Sequence, residues 1–223
     1  MPFSLLPAVY AKSTLPSLED WKGVWAAWDT VTRQMLPNEE LLDKPIKLRN
    51  ACIFYLGHIP AFLDIQLKKT AGGSAKDSDY FHTIFERGID PDVDNPELCH
   101  DHSEIPDEWP PLDEILAYQG RVRERLTALY AQDAAERSRS VSRAVWLGFE
   151  HELMHLETLL YMMLQSDKTV PPSHTSVPDF KQLAATARSK RVRNEWFDVP
   201  ARVIAVGLDD PEESETHRGD FGW

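Results

Sequence analysis

The 223-residue sequence predicts an all-α domain, an antiparallel four-helix bundle, with a C-terminal extension that opens a truncated α+β domain. Three observations predict it. Four segments repeat apolar residues three and four positions apart, the mark of one buried helix face. A stretch of about forty residues, 70–111, divides them into two pairs, and mostly short connections favour antiparallel neighbours. After Ser166 the helical pattern stops.

The first helix is expected over 18–35. Ser17 and Asp20 make a capping-box pattern, and Leu18, Trp21, Val24, Trp25, Trp28, Val31 and Met35 form one stripe. Three tryptophans on a stripe read as core. The second helix is expected over 44–69, with Pro60 inside it as a kink or short break. The polar stretch 70–111 keeps Tyr80, Phe81, Ile84, Phe85 and Trp109, so it reads as an ordered excursion packed on the bundle. The third helix, 112–130, carries Ile115, Val122, Leu126 and Leu129 on one face. The fourth, 135–165, is apolar round most of its circumference near Leu156–Leu164 and is expected to be the most buried. Residues 1–168 thus form the bundle, and 169–223 a linker and the start of a second domain. In that second part 179–190 reads as a short polar helix and 201–207 as a strand.

Composition narrows the function. Thirty-six acidic against 24 basic residues give a net charge of −12, which argues against a nucleic-acid or anionic-membrane partner. No window approaches the roughly 18 apolar residues of a membrane helix. Two cysteines, Cys52 in an apolar run and Cys99 in a polar one, exclude a disulfide scaffold and favour a reducing, cytoplasmic setting.

The sharpest chemical signal is Glu150-His151-Glu152-Leu153-Met154-His155-Leu156-Glu157. Histidines four apart project from one helix face one turn apart, which suits two cis positions on a metal. His58, beside Pro60 in an apolar run of another helix, is the candidate third ligand. Three neutral imidazoles suit Zn, Fe(II), Ni or Cu alike. Glu150, Glu152 and Glu157 flank the histidines, and one of them is expected to orient an imidazole. Arg87 is the candidate for a substrate carboxylate. His82, His174 and His217 read as surface residues, and Cys99-His100-Asp101-His102 as a solvated loop.

Leu56-Gly57-His58 on one helix and His151-x-x-x-His155-x-Glu157 on a later one resemble the DinB-like domain of the ergothioneine-biosynthesis sulfoxide synthases. Lys44-Pro45-Ile46-Lys47-Leu48-Arg49-Asn50, Phe85-Glu86-Arg87-Gly88-Ile89-Asp90-Pro91-Asp92 and His102-Ser103-Glu104-Ile105-Pro106 are similar to the fungal branch, and the resemblance runs from about residue 18 to 223. It implies a mononuclear non-haem Fe(II) held by His58, His151 and His155. The implied reaction joins the thiol of cysteine or γ-glutamylcysteine to trimethylhistidine (hercynine), consuming O2 and giving a sulfoxide. It also implies a following formylglycine-generating-enzyme-like domain, opened by 201–207, that supplies the catalytic tyrosine and much of the substrate pocket. The catalytic residue is therefore unassigned, and the chain alone is expected to bind iron without turning over. Met154 departs from the glutamine that bacterial members often carry before the last ligand.

Two other classes compete. His151-Glu152-x-x-His155 also matches the zinc metallopeptidase signature, in which Glu152 would serve as general base. No glycine and histidine follow at the extended spacing. The third class is a non-catalytic metal-binding bundle.

Overall fold

The computed structural model describes residues 15–46, 49–76, 78–86, 89–91, 99–101, 106–133 and 138–204. In chain order these form α1 (Leu18–Thr30), α2 (Cys52–Ala71), α3 (Ser78–Phe85), β1 (Ile89–Pro91), β2 (Cys99–Asp101), α4 (Leu112–Ala131), α5 (Arg139–Met163) and α6 (Phe180–Ser189). Helices α1, α2, α4 and α5 are the bundle. Tyr55 meets His155 while Phe62 meets His151, so α2 and α5 run antiparallel. Trp21 Nε1 donates to Tyr130 Oη at 3.2 Å and Arg123 grips Asp29 through two bonds, so α1 and α4 do the same.

The expected capping box starts α1. The Asp20 amide donates to Ser17 Oγ at 3.1 Å, and the Ser17 amide donates to Asp20 Oδ2 at 2.7 Å. Trp21 and Trp28 are fully buried, as the stripe predicts. The helix ends in a wide π turn, Val31–Met35, closed by Leu36 N–H on the Val31 carbonyl at 3.2 Å.

Helix α2 begins at Cys52, eight residues later than periodicity suggests. Pro45 disfavours helical geometry at Lys44. The amides of Cys52 and Ile53 turn instead to the carbonyls of Asp43 and Leu41, at 3.2 and 2.7 Å. The helix then passes through Pro60 without a break. Its burial continues round nearly the whole circumference, because α3, α4 and α5 all pack on it. It, rather than α5, is the most buried helix. The outer face of α5 leaves Leu153, Met154, Leu160, Tyr161 and Leu164 exposed, Leu164 to 79%. Cys52, in the apolar run, is a buried free thiol, its pKa pushed up to about 11 by burial and the nearby carboxylates of Glu40 and Asp43.

The excursion is ordered against the bundle where it is described. Helix α3 buries Phe81, Ile84 and Phe85, and β1 pairs antiparallel with β2, Asp90 opposite His100. Cys99–Asp101 is therefore strand backbone and not a bare loop. Asp64, fully buried on α2, anchors the start of this region. Its carboxylate accepts from Ala75 N–H at 3.0 Å, His82 Nε2 at 2.8 Å and Tyr118 Oη at 3.3 Å, and from Arg125 Nη1. His82 is thus part of a half-buried charge network and not a surface residue. Arg125 Nη2 also donates to the Gly72 carbonyl at 2.8 Å, where positive φ angles at Gly72 (72°) and Gly73 (68°) suit glycine.

Val170 N–H ties the chain after α5 back to the bundle, on the Met35 carbonyl at 3.2 Å. Residues 173–204 are exposed throughout. Helix α6 forms there as expected, with Asp179 accepting from the Gln182 amide at 2.9 Å. Of the expected strand, 201–204 is neither helix nor strand, and 205–207 lies outside the described residues. No helix among the described residues is long and apolar enough to cross a membrane.

Candidate metal centre

Antiparallel packing of α2 on α5 carries His58 to the pair His151 and His155. Their ring nitrogens form a cluster that fits one metal ion, all ligand atoms lying within 4.8 Å of one another. His151 Nε2 stands 3.2 Å from His58 Nε2 and 3.1 Å from His155 Nε2. Metal–nitrogen bonds of about 2.0–2.1 Å in neighbouring positions hold two donor nitrogens about 3.0–3.4 Å apart. A proton on His151 Nε2 serves only one of its two contacts, whereas a metal satisfies all three nitrogens. The donor set thus fits a divalent transition metal.

The walls are aromatic. Phe62 stacks on His151 with centroids 3.7 Å apart, Phe54 stacks on His58 at 5.0 Å, and Tyr55 leans on His155 at 5.4 Å. Burial in this setting keeps the imidazoles neutral, the form that ligates metal. It depresses His58 to about 4. His151 falls to about 2 and His155 to about 3, where burial is joined by repulsion from neighbouring cationic rings and, for His155, from Arg49.

The sign of the pH effect follows. Each folded pKa lies below the ordinary 6.5, so below pH 6.5 the unfolded chain binds more protons. The stability tied to neutral imidazoles is whole above pH 6.5 and falls as the pH drops toward the folded values. Each ring contributes at most about 1.4 kcal/mol per pH unit. The thermal midpoint of the metal-free chain should therefore fall between pH 6.5 and 4, and saturating Co(II) should oppose the fall in its upper part. A midpoint that stays level over that range, with or without metal, contradicts this reading.

His58 has a partner that the sequence did not nominate. Its Nδ1–H donates to the Phe85 carbonyl at 2.7 Å. Nδ1 of His151 and of His155 are buried without a hydrogen-bond partner, so none of Glu150, Glu152 and Glu157 orients an imidazole, contrary to expectation. Glu152 is buried one turn beyond Gly148, where a β-carbon would meet Leu63 and Trp21. Burial pushes its carboxyl up to about 7, against the pull of Arg123 and alongside repulsion from Asp29. That is the α1–α4 side of α5, not the histidine side. The peptidase reading needs this carboxylate at a metal-bound water and is not favoured. Arg87 lies outside the described residues, as do His102 and His217; His174 is exposed.

A family model described as the DinB superfamily matches residues 20–159, a span that holds all three histidines. The chain is 66% identical over its 223 residues to ergothioneine biosynthesis protein 1 of Neurospora crassa, covering all of this chain and 26% of that protein. It is 35% identical over 194 residues to the protein of the same name from Schizosaccharomyces pombe, covering 86% of this chain and 25% of that one. The chain spans about a quarter of the length of these curated relatives.

Proposed function

The chain belongs to the DinB superfamily, and from the three-histidine centre in its bundle we propose that it is the Fe(II)-binding part of a non-haem, O2-dependent sulfoxide synthase in ergothioneine biosynthesis. The observation that carries this reading is the convergence of His58, His151 and His155 Nε2 in a chain 66% identical to an ergothioneine biosynthesis protein. Iron bound there supplies the redox chemistry that lets O2 oxidise a thiol. The protein's share is steric and electrostatic. Three neutral imidazoles bring no charge, so the site keeps the cation's attraction for an anionic ligand such as the thiolate of cysteine or γ-glutamylcysteine. The rings of Phe54, Phe62 and Tyr55 pack against the imidazoles and limit water around them. Hercynine is the acceptor of the sulfur.

The test is anaerobic loading of the 223-residue chain with Fe(II), followed by metal analysis and an assay with hercynine, cysteine and O2. One iron per chain and no turnover are expected. Removal of residues beyond about 175 should leave iron uptake unchanged, because all three ligands lie upstream. Hydrolysis of a peptide by the zinc-loaded chain, abolished by Glu152→Gln with zinc still bound, would overturn the proposal.

A further inference from the structure

We propose that Gly57 and the Phe85 backbone carbonyl form a positioning device that presets His58 as a ligand and couples the docking of α3 to metal binding. The inference rests on the metal-centre reading above and concerns how this chain builds that centre.

A carbonyl oxygen only accepts, so the 2.7 Å contact from His58 Nδ1 to Phe85 O places the ring proton on Nδ1. Nε2 is then the lone-pair nitrogen, and it is the atom that stands 3.2 Å from His151 Nε2. The Phe85 carbonyl is available because it ends α3, where the last carbonyls of a helix have no intrahelical donor. The negative end of the helix dipole adds to its pull on an N–H. Among the described residues His58 is the one ligand held this way, since Nδ1 of both α5 histidines lacks a partner there. A single bond from a third helix therefore sets the tautomer and ring angle on the α2 side of the site.

Gly57 makes the approach possible. A β-carbon there would lie 2.5 Å from Phe85 Cδ2 and closer still to Cε2 and Cζ. The ring has no room to yield. It is fully buried, stacked on Trp109 at 5.5 Å and on Phe81 at 6.1 Å. Phe81 is stacked in turn on Tyr118 of α4 at 4.5 Å. Any side chain at 57 must push the end of α3 outward and carry the carbonyl away from Nδ1. The hydrogen-bond partner of a metal-bound histidine typically contributes roughly 10–100-fold to metal affinity. Coupling is reciprocal, so metal that favours this His58 geometry also favours docked α3.

Three measurements test this on the 223-residue chain. Imidazole nitrogen NMR of the metal-free protein at neutral pH should show His58 as a single tautomer with Nδ1 protonated. An Nε2–H form or an even mixture overturns the proposal. Co(II) binding, followed by its visible absorption, should weaken roughly 10–100-fold in Gly57→Ala. Far-UV circular dichroism checks that the variant is folded. Retained affinity in a folded variant overturns the proposal. Hydrogen exchange of the unaltered chain needs no substitution: Co(II) should slow exchange of the α3 amides, and equal rates with and without Co(II) overturn the coupling. Failure of the unaltered chain to bind Co(II) at all would overturn the metal centre itself, whereas Co(II) binding that is indifferent to Gly57→Ala overturns only the positioning role.

Discussion

Replacing His151 with alanine is expected to weaken metal binding by roughly two to three orders of magnitude. His151 is the central member of the cluster, in contact with both other ligand nitrogens at 3.1 and 3.2 Å, so its loss leaves His58 and His155 on opposite sides of a gap. Structural zinc sites of four ligands are worth about 10–16 kcal/mol, or roughly 2.5–4 kcal/mol per ligand. At about 1.4 kcal/mol per tenfold, one lost ligand weakens binding by two to three orders of magnitude. His155→Ala should do nearly as much. Competition titration with a chromophoric chelator reads the constant directly, and calorimetric melting of the metal-free variants separates lost ligation from lost fold. A His151→Ala protein that binds Co(II) within threefold of the unaltered chain would remove this histidine from the site.

Asp64→Ala should be the most damaging change away from the histidines, about 3–5 kcal/mol. The carboxylate is fully buried and receives donors from α3, α4 and the turn before α3. Burial alone would raise its pKa, yet bonds from His82, the Ala75 amide and Arg125 outweigh it and hold the group below the ordinary carboxylate range. Alanine leaves the Arg125 guanidinium, itself only 15% exposed, with backbone carbonyls but no counter-charge, and unsatisfies the Tyr118 hydroxyl and the Ala75 amide. Asp64→Asn keeps the shape and loses only the charge, so it should cost less. Urea unfolding with an unchanged slope and a lowered midpoint is the expected record. A loss below about 1 kcal/mol, the range of an exposed pair, would mean that the network contributes little.

Much of this architecture is legible in the residue pattern. The tryptophan stripe, the Ser17–Asp20 cap and the spacing of His151 and His155 are local signals, and local signals survive tertiary packing. What was misread depends on neighbours. The start of α2 depends on carbonyls of Leu41 and Asp43 that periodicity does not see. Apolar residues all round α5 overstate its burial because they do not say which faces meet a partner, and Leu160 and Leu164 stay exposed. His82 and Asp64 look like ordinary polar helix residues until the fold buries one against the other. The Phe85 carbonyl has no side-chain signature at all. Gly57 was visible in Leu56-Gly57-His58, but its reason lies in a ring twenty-eight positions away.

The tie between Val170 and Met35 also draws a line for proteases. Upstream of it, Arg123 and Arg125 are held in bonds and set into helix α4. Downstream, Lys181, Arg188, Lys190, Arg191, Arg193 and Arg202 are all exposed, several of them outside any helix. Trypsin needs several residues of extended backbone, and unpacked segments present them first. A brief digest should therefore trim the chain from the C-terminal side in small steps and then stall, leaving a resistant core that still contains the three histidines. In a cell, the same asymmetry would make the lifetime of the bundle independent of the lifetime of residues 173–204.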